Sequence, residues 1–264
     1  MELNPTSLFT GTACYYSRYR LGYPEGLLGI LRTCYRPDGA GRLLDLGCGT
    51  GQLAIPLRRD FAEVIGIDIS PEMIAEAARI CREQRIPPID FRVMPAEHID
   101  KLPDRFDLIV CGNALHWMER SAVLTKSHAL LTEGGGMAIF AGGSGSVWSG
   151  VEPWQQETVR VIKRWLGDTR LAGDGEYPQQ LKRHEDFIAA SPFTLRQTGD
   201  YSFGHRWDIA GIIGNLYSTS YCNKRLLGDR AAAFEADLRR TLLALNPTGQ
   251  FSERLEITYF FLRK

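Results

Sequence analysis

Apolar residues recur along this chain in two rhythms, and the switching between them predicts its elements. Residues 24–35 carry Leu27, Leu28, Ile30 and Leu31 on helical spacing, with Pro24 suited to the first turn. Short apolar runs at 42–46, 64–68, 89–94, 106–111 and 137–141 read as strands. Helical stretches separate them: 52–59, a helix opened by Ser70-Pro71 with Met73, Ile74, Ala77, Ala78 and Cys81 on one face, and 121–131. Strand and helix in alternation predict an α/β fold built on a mainly parallel sheet. The run 106–111 is almost wholly apolar, as a strand buried on both faces requires. The rhythm breaks at Gly142-Gly143-Ser144-Gly145-Ser146, a linker. Beyond it, 157–166, 209–216 and 230–245 pattern as helices, 171–178 as a polar glycine loop, and 193–203 and 254–262 as strands.

Composition narrows the class. A chain of 264 residues can bury one sizeable core, with room for a small subdomain. Lysine plus arginine number 31, equal to aspartate plus glutamate, so no basic excess points to nucleic acid or an anionic membrane. No apolar run approaches a membrane span, and residues 1–23 lack the basic head and apolar core of a signal peptide. The six cysteines are scattered without a Cys-x-x-Cys pair, which predicts reduced core cysteines of a cytoplasmic protein and no metal site.

The candidate chemistry begins where the first strand breaks into glycine. Leu43-Leu44-Asp45-Leu46 runs into Gly47, Gly49 and Gly51 at alternate positions. A buried strand, a glycine loop and a helix is how α/β proteins hold nucleotides, because glycine permits φ > 0 and close backbone approach. The order is not the dinucleotide Gly-x-Gly-x-x-Gly; it is Asp45-x-Gly47-x-Gly49-x-Gly51. The second strand ends in Asp68, whose two carboxylate oxygens match the two hydroxyls of a ribose; capping of the next helix is the plainer role for it. After strand four stands Asn113-Ala114-Leu115-His116-Trp117, where a histidine can titrate near neutrality or simply orient the backbone. Ahead of the first helix, Tyr15, Tyr16, Tyr19 and Tyr23 interleave with Arg18 and Arg20, suited either to closing over a ligand or to packing as a surface helix.

These residues together resemble the class I S-adenosylmethionine-dependent methyltransferases, in the small-molecule type similar to trans-aconitate methyltransferase. The glycine motif and Asp68, the Ala-Leu-His-Trp form of the fourth motif, the glycine-rich approach at Glu133-Gly134-Gly135-Gly136 and the entry segment Tyr16–Pro24 carry the likeness. Leu21 stands where the family usually has proline, and Pro95 where an acidic residue precedes Ala-Glu. The resemblance implies a Rossmann-like seven-stranded, mainly parallel sheet with an antiparallel last strand and an inserted helical cap. It divides one domain into an N-terminal lid and helix (1–35), a cofactor-binding core (36–146), a helical cap (147–192) and closing strands and helices (193–264). It implies S-adenosylmethionine held by Tyr16, Tyr19, Arg20, Gly47, Cys48, Gly49, Gly51, Asp68, Ile69, Met73, Ala96, Glu97, Asn113 and Ala114. His116 is the candidate catalytic base. His116, Trp117, Trp148, Trp154, Tyr217 and Tyr221 are candidates for the acceptor pocket, although the tryptophans of 147–190 could equally anchor a subdomain.

The expected reaction is methyl transfer to a small organic acceptor, with O-methylation of a hydroxyl or carboxylate favoured, by a monomer or homodimer. Two other classes stay open: a protein of this fold that binds the cofactor but catalyses a reaction other than transfer, and a non-catalytic binding module. A nucleic-acid methyltransferase is disfavoured, because the Asp/Asn-Pro-Pro-Tyr/Phe motif for base amino groups is absent after strand four and there is no phosphate-tracking charge.

Overall fold

A computed structural model describes residues 8–102, 105–173, 175–176 and 183–264. The chain forms two compact units. A sheet unit comprises Gly22–Gly142, Gln180–Tyr201 and Ile257–Lys264; an aromatic unit comprises Met1–Leu21, Gly143–Gln179 and Ser202–Glu256.

In chain order, α1 (Ala13–Tyr19) and α2 (Glu25–Tyr35) precede β1 (Arg42–Leu46), α3 (Ala54–Leu57), β2 (Glu63–Asp68), α4 (Pro71–Glu83) and β3 (Asp90–Val93). Then come β4 (Phe106–Gly112), α5 (Arg120–Leu130), β5 (Leu131–Gly142), α6 (Pro153–Leu166) and the short pair β6 (Leu171–Ala172) and β7 (Gly175–Glu176). The chain continues through α7 (His184–Ala189), β8 (Thr194–Asp208), α8 (Ile209–Tyr217), α9 (Lys224–Leu227), α10 (Ala231–Leu245) and β9 (Gln250–Arg263).

The seven-stranded sheet has the order β3-β2-β1-β4-β5-β9-β8. Neighbours from β3 to β5 pair in parallel, and β9 runs antiparallel to β5, with Gly136 opposite Arg263 and Gly142 opposite Ile257. β1 and β4 lie inside this sheet, and Leu43, Leu44, Leu46, Ile109, Val110 and Cys111 are wholly excluded from water. Apolar side chains of β1, β2, β4 and β5 pack with those of α5 and with Ile188 of α7 and Phe193 into one core. Tyr35, at the end of α2, fastens two of these strands: its hydroxyl donates toward Met137 O (2.8 Å) and Leu262 O (3.1 Å) and accepts from Leu262 N (3.0 Å). Gly136 lies under that ring, where a Cβ would collide with it.

The aromatic unit has its own core: Trp154, Val161 and Ile162 of α6 meet Ile212, Ile213 and Leu216 of α8 and Phe234, Leu238 and Leu242 of α10. Tyr19 of α1 packs its ring against Gly214, which leaves no space for a side chain there, and Tyr15 meets Tyr217 edge to face at 5.3 Å. These two tyrosines thus pack a helix down, the plainer of the two roles open to the segment.

Several boundaries move. The helix expected at 52–59 shrinks to α3 followed by a 3₁₀ turn at Arg58–Asp60, because Pro56 removes an amide donor in its middle. The 171–178 segment, expected as a loop, opens with the β6–β7 hairpin; its residues 174, 177 and 178 lie outside the described residues. β8 and β9 run past the 193–203 and 254–262 expected of them, α7 falls within the segment 147–192 expected as a helical cap, and α9 appears where no helix was expected. Five of the six cysteines are buried, with Cys14 exposed. Among the described residues no helix is long and apolar enough to cross a membrane.

Candidate active site

The carboxyl ends of β1, β2, β4 and β5 carry the chemistry-bearing loops of the sheet unit. Gly47, Gly49 and Gly51 adopt φ of +62°, +54° and +88°, all in the left-handed region that a side chain strains. At Gly47 the reason is also steric, since a Cβ would lie 2.5 Å from that of Ala114 and 3.0 Å from Met118 Cε. The loop is tied down by Cys48 N donating to Ile67 O and Gly51 N to Cys48 O, both at 2.9 Å.

Two carboxylates brace it. Asp45, on β1, is 1% exposed and accepts from Ala54 N at 2.9 Å, the first amide of α3. Asp45 thereby satisfies the leading amide of this helix. Burial pushes the Asp45 carboxyl up to about 8, against the pull of the Ala54 amide and with a further push from the charge of Asp68. Asp68 accepts from Gly49 N at 2.9 Å through one oxygen and from Ser70 N at 2.8 Å through the other. Burial raises its carboxyl while the amides of Ser70, Gly49 and Ile69 oppose. A carboxylate has about four acceptor positions, so Asp68 keeps acceptor capacity for a further donor such as a hydroxyl.

At the end of β4, Asn113 sits at φ +52° and pairs both ways with Gly142: its side-chain nitrogen donates to Gly142 O (2.9 Å), and its oxygen accepts from Gly142 N (2.8 Å). Asn113 therefore ties β4 to β5 at the site edge. Tyr23 covers the same edge, with its hydroxyl over Gly112 and its ring 5.3 Å from Phe140. His116 comes next on a 3₁₀ turn, half-buried, its ring 4.7 Å from that of Trp117.

Residues 43–135 match the methyltransferase domain family. A ubiquinone biosynthesis O-methyltransferase of Nitrobacter winogradskyi is 40% identical over 178 residues, 64% of this chain and 64% of that protein. Residues 43–135 thus carry a methyltransferase domain, and over that region the chain is similar to S-adenosylmethionine-dependent methyltransferases. The first curated relatives are matched over 38% to 64% of their own lengths. Solved structures share the fold. A phosphoethanolamine N-methyltransferase 2 of Haemonchus contortus, in complex with phosphomonomethylethanolamine and S-adenosylhomocysteine, is 16% identical with a TM-score of 0.57, covering 100% of this chain and 60% of that one. The [4+2]-cyclase SpnF is 21% identical with a TM-score of 0.55, covering 91% and 81%.

Within this domain, Gly47, Cys48, Gly49, Gly51, Asp68 and Ile69 fall on the glycine loop and the end of β2. Met73 is buried at 3% exposure in the first turn of α4, and Ala96 at 6% on the turn after β3. Glu97 is engaged structurally: its carboxylate accepts from Glu119 N at 2.9 Å at the start of α5. Ala114 contributes its methyl group to the wall of the glycine loop.

The remaining candidates lie in the aromatic unit. Tyr16 stacks under Arg20, whose guanidinium carbon is 5.2 Å from the ring, and Tyr19 is the packing residue on Gly214. Trp154 is a core anchor rather than a pocket wall, 5% exposed, 5.8 Å from Phe251 and donating to Ser252 O. Tyr217 is likewise core, with its hydroxyl on Glu235 at 2.9 Å. Trp148 and Tyr221 face each other edge to face at 5.9 Å.

Sequence reasoning missed Asp45 and Tyr23 as site-building residues. Asp45 opens the glycine motif, and a carboxylate inside an otherwise apolar strand was the available signal. Tyr23 belongs to the entry segment in sequence, and only its approach to Gly112 reveals its place.

Proposed function

We propose that this protein transfers the methyl group of S-adenosylmethionine to the oxygen of a small organic acceptor. The observation that carries the reading is Asp68: a strand-end carboxylate fixed by the amides of Gly49 and Ser70, with acceptor capacity left for a ribose. These residues fit the cofactor. Gly47–Gly51 would form its floor, and Ile69, Met73 and Ala96 the apolar side against the adenine. When bound, the cofactor supplies a methyl group already activated by a positive sulfur.

The chain's own contribution is therefore mainly alignment and exclusion of water. His116 takes the proton if the acceptor is a hydroxyl, and only positions an acceptor that is already ionised. Trp117, beside His116, is the proposed contact to the acceptor. The Nitrobacter relative, named for O-methylation, supports oxygen as the receiving atom.

Calorimetry with S-adenosylhomocysteine tests the cofactor assignment. Asp68→Ala should weaken binding roughly tenfold to a few hundredfold, from lost hydrogen bonds to a charged acceptor. Unchanged affinity would sink it. The fold neighbour named as a cyclase makes product analysis the necessary companion: mass-shifted acceptor means transfer, isomerised acceptor means rearrangement.

A further inference from the structure

The turn that carries His116 is clamped at both ends. Parallel pairing of β4 with β5 runs as far as Gly112 opposite Phe140, and Asn113 N then donates to Phe140 O at 2.9 Å. There β4 leaves the sheet while β5 continues to Gly142. The Asn113 side chain takes over where the backbone stops: Nδ2 donates to Gly142 O at 2.9 Å, and Oδ1 accepts from Gly142 N at 2.8 Å. One primary amide thus meets both the donor and the acceptor of a single residue, as an opposite residue does in the hydrogen-bonded pair of an antiparallel ladder. Turning the amide over would set N–H against N–H and oxygen against oxygen, so the pairing also fixes its orientation. Past it comes the 3₁₀ turn Leu115–Trp117, where Trp117 N donates to Ala114 O at 2.9 Å and Met118 N to Leu115 O at 3.2 Å. Leu115 anchors the turn in the sheet core, and Ala114 and Met118 both close on Gly47 of the glycine loop. At the far end the Glu97 carboxylate accepts from Glu119 N at 2.9 Å.

The residue type at 113 is narrowly determined. Its φ of +52° lies in the left-handed region, which asparagine and aspartate enter more readily than other residues that carry a side chain. Glycine reaches the same angle but has nothing to bond Gly142. Aspartate brings no donor when ionised, and glutamine carries the amide one methylene too far out. A turn alone would be served by glycine; the amide adds a fixed direction for the chain that follows.

We propose that Asn113 is a positioning residue for methyl transfer, and that its clip on Gly142 sets where the His116 imidazole stands relative to the glycine loop. This rests on the reading of His116 as the group that meets the acceptor. Reacting groups displaced by about 1 Å can lose on the order of 10²-fold in rate, so a clip three residues away bears on turnover without touching a ligand.

The test uses the full chain and needs no acceptor. Asn113→Gly keeps the left-handed angle and removes the clip. Asn113→Asp keeps the shape and the acceptor for Gly142 N but sets an oxygen against Gly142 O, and it serves if the glycine variant does not fold. Tyr35→Phe, which loosens β5 from β9, is the control for lost stability alone. Proton–carbon NMR of histidine-labelled protein, with and without S-adenosylhomocysteine, follows the His116 ring, whose signal reports the Trp117 ring 4.7 Å away and is assigned through His116→Gln. Calorimetry with S-adenosylhomocysteine measures cofactor affinity on the same samples. The His116 signal should shift or broaden in both Asn113 variants and stay in place in Tyr35→Phe, with cofactor affinity within about threefold of wild type. A His116 signal that stays in place in the Asn113 variants overturns the positioning role. A loss of about tenfold or more in affinity with that signal in place overturns it too, and makes Asn113 a cofactor contact. A wild type that binds no S-adenosylhomocysteine would instead overturn the underlying reading.

Discussion

Replacing Asp45 with asparagine isolates the cost of holding a carboxyl beneath the glycine loop. Asparagine keeps the shape and an oxygen for Ala54 N, but it does not titrate. The unfolded carboxyl ionises near its ordinary 3.8, whereas the folded one holds its proton to about 8. Between those values the native state binds one more proton than the unfolded state, so raising the pH removes stability, by about 1.4 kcal/mol per pH unit. From pH 5 to pH 7 the wild type should lose about 2–3 kcal/mol that Asp45→Asn does not lose. The sign matters: an ordinary salt-bridged aspartate gains stability as the pH rises through its own titration. Urea unfolding of both proteins at pH 5, 6 and 7 measures the difference. Parallel stability curves would refute the argument, because they would mean that Asp45 ionises in the folded chain as it does in water.

Other expectations rest on single contacts. Gly47→Ala should destabilise by about 2–4 kcal/mol, combining a left-handed φ with the clash on Ala114, and thermal melting checks it. Tyr35→Phe should cost about 1–3 kcal/mol in denaturant, by releasing the clip between β5 and β9. For a hydroxyl acceptor, His116→Ala should lower turnover by about 10²–10⁴ with cofactor affinity nearly unchanged and the ascending limb of the pH profile lost; wild-type turnover and acceptor affinity would make His116 structural.

The fold was readable because buried parallel strands announce themselves as unbroken apolar runs, and because Leu-Leu-Asp-Leu before three alternate glycines leaves the loop beyond it little conformational freedom. Asp68 was readable for the same topological reason: a strand-end acid lies where ligands bind in open α/β sheets. The aromatic unit was far less legible. Trp148, Trp154, Tyr217 and Tyr221 look alike in sequence, yet Trp154 and Tyr217 spend their polar atoms on Ser252 and Glu235 in the core. Only three-dimensional neighbours identify such an anchor. Glu97 and Asn113 likewise resembled ligand-binding residues, but their side chains are spent on Glu119 and Gly142, partners 22 and 29 residues away.

The position of β9 has a consequence for biosynthesis. It follows the other strands of its sheet in the chain, yet it lies between β5 and β8, and its segment Ile257–Arg263 supplies the register against Gly136–Gly142. Until residue 263 has left the ribosome, β5 offers an open edge of backbone donors and acceptors beside the apolar run Met137–Phe140. Such an edge invites pairing with other nascent chains. Deleting Ile257–Arg263 should therefore divert the chain into aggregates during translation, and slowing elongation over the codons of that segment should lengthen the exposure to chaperones.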